Sequence, residues 1–291
     1  MFDDLLWTEY NGGDKLMPAG SYCKRMPWGQ QKPPLGYGVD WSSPLAQGLV
    51  GCWLFNEGAG SVANDLASDG KALSLGGVSW SPNVLRNTGL NSGMSQTPNA
   101  NQKCVDMSFI WKGRITGGTP WNSPIFACAT PKTSYTSPYR AFALQQQHGT
   151  TVNLQLTYNV AGTYKGVTWN NAIATNISAV YCCTFGLNSV IGYKNGVQSV
   201  SGTDRAGGPD YASDPGLVWS TGVANGNYTL ECEHEYTILF NRALSPSEVA
   251  QLYEQPYAMI EGYNYGRSYS IPSSAFINSS YWYQNPILEA I

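Results

Sequence analysis

Charge is scarce in this chain. Asp, Glu, Lys and Arg make up 12% of its 291 residues, and the formal net charge is −3. No basic excess exists to neutralise phosphates, so nucleic-acid binding is not expected. Histidine occurs twice, too rarely for a zinc constellation, and no Cys-x-x-Cys pair compensates. The seven cysteines are an odd count without regular spacing, which argues against a secreted disulfide framework. Cys182 and Cys183 are adjacent in an apolar run, and most of the seven read as small buried apolar residues. No apolar run approaches the ~20 residues that span a bilayer. The opening MFDDLLWTEYNGGDK lacks the basic and apolar regions of a signal peptide, so synthesis and residence in a cytoplasm, or in an assembly formed there, are expected. Gly117-Gly118 and Gly207-Gly208 lack the strand–helix context and the lysine of a phosphate cradle.

What the chain has instead is glycine (32 residues), tyrosine (19) and tryptophan (10). That composition suits short strands joined by tight turns. Low charge also suits a surface covered by neighbours, since it does little to keep a free monomer soluble. Residues 1–44 read as an extended arm, with adjacent prolines at Pro33 and Pro34 favouring polyproline-like backbone. Residues 257–291 read as a second arm. Both are aromatic, with Trp7, Trp28, Tyr263 and Trp282 among others. Disordered linkers are poor in aromatics, so both arms are expected to pack on the domain or on a partner.

Between them, residues 45–256 show recurrent strand signals. Met107–Ile115, Ser123–Thr130 and Arg140–Gln145 are strands by composition. Thr151–Tyr158 alternates, placing Val152, Leu154, Leu156 and Tyr158 on one face. Ile177–Phe185 is apolar on both faces, as in a central strand. Asn195-Gly196 predicts a type I′ hairpin between Val190 and Val197. Tyr228–Phe240 is the last long strand. A helix follows, with Ser245 as N-cap, Pro246 at its first position, Glu248 completing a capping box and an end near Pro256. Trp53, Phe55, Ile191, Tyr193 and Leu239 are expected between two sheets. Many short strands with turns every 8–12 residues specify an all-β fold, a sandwich or jelly roll.

Three segments in order also follow a known pattern. They are GLVGCWLFNEGAGSVANDLASDGKALSL (Gly48–Leu75), VIGYKNGVQSVS (Val190–Ser201) and YTILFNRALSPSEVAQLY (Tyr236–Tyr253). Together they resemble the laminin-G-like, concanavalin A-type jelly roll over about 210 residues. The resemblance implies a two-sheet antiparallel sandwich with one short C-terminal helix. The flanking KPPLGYGVDWSSPLAQGLVGCWLFNEG and LYEQPYAMI narrow it to laminin-G-like proteins of tailed bacteriophages, which reside in the virion.

Sites follow from three chemistries. The resemblance implies a calcium ion at the sandwich rim, held by a carboxylate in the loop after the first strand and another on the last. Asp65 matches the first position and Glu235 the second, with Asp69 able to assist; calcium takes several such oxygen ligands. The family's last-strand aspartate is a glutamate here, preceded by His234. The alternative is that the loop aspartates cap their own turns. Catalysis would draw on Glu231-Cys-Glu-His-Glu235, similar to a laminarinase-type pattern. Retaining hydrolysis needs carboxylates about 5–5.5 Å apart, whereas strand positions i and i+4 stand about 13 Å apart. Sugar binding would use exposed rings beside hydrogen-bonding side chains, for which Trp121, Tyr135 and Tyr139 sit in turn-rich stretches. His148 reads as a turn residue.

The expectation is therefore a non-enzymatic structural component of a phage particle, a capsid decoration or a tail- or fibre-associated protein. It docks through its arms onto other virion proteins and copies of itself, without contact to nucleic acid or membrane. The alternative is a carbohydrate-binding adhesion module that meets cell-surface glycans. A third reading is a glycoside hydrolase using Glu231 and Glu235.

Overall fold

The computed structural model describes residues 30–67, 72–87, 93–97, 100–118, 124–129, 140–160, 163–186, 188–202, 218–221 and 230–261. Chain order begins with β1 (Gly38–Val39), β2 (Leu49–Trp53), β3 (Val62–Ala63), β4 (Leu73–Gly76), β5 (Val78–Ser81) and β6 (Val84–Asn87). It continues with β7 (Gly93–Gln96), β8 (Met107–Gly118), β9 (Pro124–Ala129), β10 (Arg140–Gln146), β11 (Leu154–Val160) and β12 (Thr163–Trp169). It closes with β13 (Ser178–Gly186), β14 (Ser189–Lys194), β15 (Val197–Gly202), β16 (Val218–Thr221), β17 (Leu230–Phe240), helix α1 (Pro246–Glu254) and β18 (Ile260–Glu261).

These strands make an antiparallel two-sheet sandwich. Sheet one runs β12-β11-β10-β9-β16-β7-β4-β3. Sheet two runs β15-β14-β13-β8-β17-β6-β5, and β2 also pairs with β17. Along β17, β8 occupies one edge, while β6 and then β2 share the other. The main core lies between the sheets. Phe142, Leu144, Leu154, Leu156 and Tyr158 come from sheet one, and Trp53, Phe109, Trp111, Tyr181 and Phe185 from sheet two.

Sheet two has a second core on its outer face. Cys52, Ile110, Val180, Cys182, Tyr236 and Ile238 pack there against Val249 and Leu252 of α1 and against Val39, Tyr257, Met259 and Ile260. This explains why β13 is apolar on both faces: Tyr181, Cys183 and Phe185 serve the inner core while Val180 and Cys182 serve the outer. It also relocates two of the residues expected between the sheets. Trp53, Phe55 and Leu239 are there, but Ile191 and Tyr193 belong to the outer core.

Local signals gave most of the elements. Asn195 (φ 51°) and Gly196 (φ 79°) both take the left-handed backbone of a type I′ turn. The tip of that hairpin rests on α1, since a Cβ on Gly196 would stand 3.0 Å from the Tyr253 ring. Ser245 and Glu248 form the capping box, with Pro246 in the first turn. The alternating strand starts later than expected, at Leu154. Val152 is exposed, because residues 147–153 close a turn through Gln147 N–H to Asn153 O (3.0 Å). The five described free cysteines are Cys52, Cys182, Cys183 and Cys232, all buried, and half-buried Cys104. Among the described residues no helix is long and apolar enough to cross a membrane.

The two chain extensions meet on the outer side of sheet two. β1 and β18 pair antiparallel, Gly38 opposite Glu261 and Val39 opposite Ile260. Asp40 N–H adds a bond to Met259 O (2.8 Å). Further upstream, Gln30 donates to the carbonyls of Tyr253 (2.8 Å) and Glu254 (3.0 Å). Asn56 Nδ2 donates to Pro33 O at 2.9 Å.

Candidate functional site

The acidic strand segment and the loop after β2 are the two places where sequence chemistry concentrates. On β17, Leu230, Cys232 and His234 turn inward, and Glu231, Glu233 and Glu235 turn outward. Glu235 has no strand partner, because the register slips between His234–Gly113 and Tyr236–Lys112. It is a bulge residue, and the slip lets Tyr236 also face outward into the second core.

Glu233 stands in a cross-strand row. Arg86 of β6 lies opposite it on one side and Arg114 of β8 on the other. Arg86 Nε (2.8 Å) and Nη2 (2.7 Å) bind its Oε1. Arg114 Nε (2.9 Å) and Nη2 (2.6 Å) bind Oε2. Both carboxylate oxygens are thus consumed by charge-assisted bonds. Glu235 is held separately, by Lys112 Nζ on Oε2 (3.1 Å) and by the Ser178 hydroxyl on Oε1. Glu231 is exposed and leans towards Gly117. Glu231 and Glu235, the pair a retaining hydrolase would need, are therefore not brought together. Four positions of strand part them, about 13 Å at the backbone, and the doubly clamped Glu233 lies between.

Behind this row sits His234, fully buried. Trp111 Nε1–H donates to its Nδ1 at 2.8 Å, so the ring proton is on Nε2, 3.2 Å from Cys232 Sγ. Burial pushes the His234 pKa down to about 3 and Cys232 up beyond the usual thiol range. Both are neutral core groups, and neither is poised as a nucleophile or base.

Of the calcium ligands implied by the resemblance, Asp65 and Glu235 are each engaged by other groups. Asp65 Oδ1 accepts from Cys52 N–H (2.8 Å) and Ala67 N–H (2.9 Å), bonds that fix the loop on β2. Cys52 lies opposite Ile238, three positions from Glu235, roughly 10 Å along the strand. Glu235 already faces an ammonium. Asp69, like Trp121, Tyr135 and Tyr139, lies outside the described residues. Among the described residues no group of three or more His, Cys, Asp or Glu side chains is placed to hold a metal ion.

At the rim where the loop after β2 meets β17, the occupant is Lys32. Its Nζ donates to Phe55 O (3.4 Å) and to Asn83 O. The carboxylates of Glu235 and Glu57 act on it favourably and Lys112 unfavourably, while burial lowers its pKa to about 8. Lys32, Arg86 and Arg114 went unnoticed in the sequence. Outward parity on MSFIWKGRI marks Lys112 and Arg114 as one face, but nothing local to Lys32 announces its destination.

No protein-family model matches the chain, and no curated protein matches it. Solved structures do share the fold. The chain is similar to a Trypanosoma rangeli sialidase in complex with sialic acid (16% identity, TM-score 0.55, covering 73% of this chain and 33% of that one). It is similar to the binding domain of Paraclostridial Mosquitocidal Protein 1 (15%, 0.56, 74% and 53%). It is similar as well to the botulinum neurotoxin serotype D binding domain (15%, 0.55, 73% and 53%). The chain spans about a third of the sialidase and about half of the two toxin domains. At these identities the likeness is one of β-sandwich fold.

Proposed function

We propose that this chain is a non-enzymatic docking component of a tailed-bacteriophage particle, a laminin-G-like sandwich that joins other virion proteins and copies of itself through its two extensions. The observation that supports this reading is the pairing of Gly38 with Glu261. It roots both extensions side by side over the outer core of sheet two, with Gln30 of the N-terminal one bonded to the C-terminal end of α1. Two segments that start on one side can grip one neighbouring surface together, and the linked contacts reinforce each other. The state of the acidic row favours a non-catalytic role, since Glu233 is spent on Arg86 and Arg114 and Glu235 on Lys112. The test is incorporation. Purified particles should contain the chain in multiple copies, and a chain trimmed to residues 30–261 should fold and be missing from them. Normal incorporation of the trimmed chain overturns the reading.

A second reading is supported by the fold itself, which is also that of two toxin binding domains and of a sialidase solved with sialic acid. In it the sandwich binds cell-surface glycans, through Trp121, Tyr135 and Tyr139. Glycan-array binding that disappears in Trp121→Ala or Tyr139→Ala would favour it, and an array without signal would sink it.

A further inference from the structure

We propose that the Lys32 ammonium is the resident cation of the rim between the loop after β2 and the bulge of β17, taking the place of a metal ion there and fastening the N-terminal extension in the same contact. The argument begins with the backbone. Phe55 (φ 50°) and Asn83 (φ 60°) are both in the left-handed region. Asn visits it readily, whereas a bulky ring there is a rare and costly conformation that persists only where its surroundings impose it. Phe55 is fully buried, edge-on to His234 at 5.9 Å between centroids. Both residues turn their carbonyl oxygens to one point, Lys32 Nζ.

Carboxylates complete the surroundings. Glu57 Oε1 accepts from Asn64 N–H at 2.6 Å, while its Oε2 is buried without a hydrogen-bond partner. Burial disfavours the Lys32 charge, while the Glu235 and Glu57 carboxylates favour it from beyond ion-pair contact and Lys112 opposes it. Lys32 and Lys112 balance Glu57 and Glu235, so the set is neutral as it stands. A divalent ion added to it would meet an ammonium and gain no net charge complement. With Lys32 neutralised, two carbonyls and the Glu57 carboxylate are left uncompensated at one rim, Glu235 remaining paired with Lys112. Those are the hard oxygen donors that calcium prefers, with water filling the rest of its shell. The grip on the extension is part of the same feature, because Pro33, next in the chain, is buried and receives Asn56 Nδ2 on its carbonyl.

The experiment compares full-length wild type, Lys32→Met, Lys32→Arg and the double variant Lys32→Met/Glu57→Gln. Each is melted in chelator and in millimolar calcium chloride, with calorimetric titration of calcium chloride alongside. Wild type and Lys32→Arg are expected to melt identically in both. Lys32→Met is expected to melt lower in chelator and to regain roughly 2–4 °C with calcium, a gain absent from the double variant. A calcium shift in wild type or in Lys32→Arg overturns the proposal. So does a folded Lys32→Met that neither binds calcium nor responds to it. If Lys32→Met does not fold, the wild-type and Lys32→Arg arms still decide.

Discussion

Trp111 donates its indole N–H to Nδ1 of His234 across 2.8 Å inside the sandwich, and the Cα opposite His234 is that of Gly113. The indole lies over the glycine to reach the imidazole. One hydrogen bond thereby ties β8 to β17, the pair at the centre of sheet two, and fixes the imidazole as a neutral acceptor.

That arrangement sets a pH dependence. Burial holds the His234 pKa near 3, below its ordinary 6.5. The unfolded chain takes up a proton that the folded ring refuses, so the contribution is intact above pH 6.5 and is lost as pH falls towards 3. The slope should approach about 1.4 kcal/mol per pH unit in that window. Denaturant unfolding at a series of pH values checks it. His234→Gln should be less stable at neutral pH and show a shallower slope between pH 6.5 and 4, and equal slopes would refute the assignment.

Gly113 is required for space. A Cβ there would lie 2.2 Å from Glu233 O and 2.3 Å from Trp111 Cζ2, both in well-packed surroundings. Gly113→Ala should cost stability at the upper end of the roughly 1–3 kcal/mol typical of overpacking. Gly76→Ala is the control, since its nearest atom would be at 3.8 Å, and it should be close to neutral. Similar melting shifts for the two would mean that β8 and β17 can part easily.

Trimming separates the extensions from the folded body. Val39 precedes residue 45, Tyr257, Met259 and Ile260 follow residue 256, and all four are buried in the outer core. Each such side chain contributes about 1.5–3 kcal/mol on burial. A chain of residues 30–261 should retain the full melting temperature, and one of residues 45–256 should melt many degrees lower. Equal melting of the two would remove the outer core from the stability of the fold.

Two glutamates on one face of β17 should behave oppositely. Glu233→Ala strands two guanidinium groups and should cost about 1.5–3 kcal/mol. Glu231→Gln changes an exposed side chain and should stay within about 0.5 kcal/mol. If Glu231→Gln instead abolished cleavage of a polysaccharide by this protein, the non-enzymatic reading would fall.

The sequence by itself determined what depends on near neighbours. Asn195-Gly196 needs only its own backbone preference to turn, and Ser245 with Glu248 needs only three residues to cap a helix. The alternation of Leu154, Leu156 and Tyr158 declares one buried face, and enough such segments declare a sandwich. Tertiary structure decided the rest because the decisive contacts join distant residues. An apolar run such as β13 states that both faces are buried but not what covers them, so the outer core and the places of Ile191 and Tyr193 emerged only with α1, β1 and β18 in position. The bulge at Glu235 is a mismatch between two strands and has no signature in either alone. Lys32 reaches Phe55 and Asn83 across 23 and 51 positions. Its role as a cation follows from where those two left-handed carbonyls point, which no local pattern specifies.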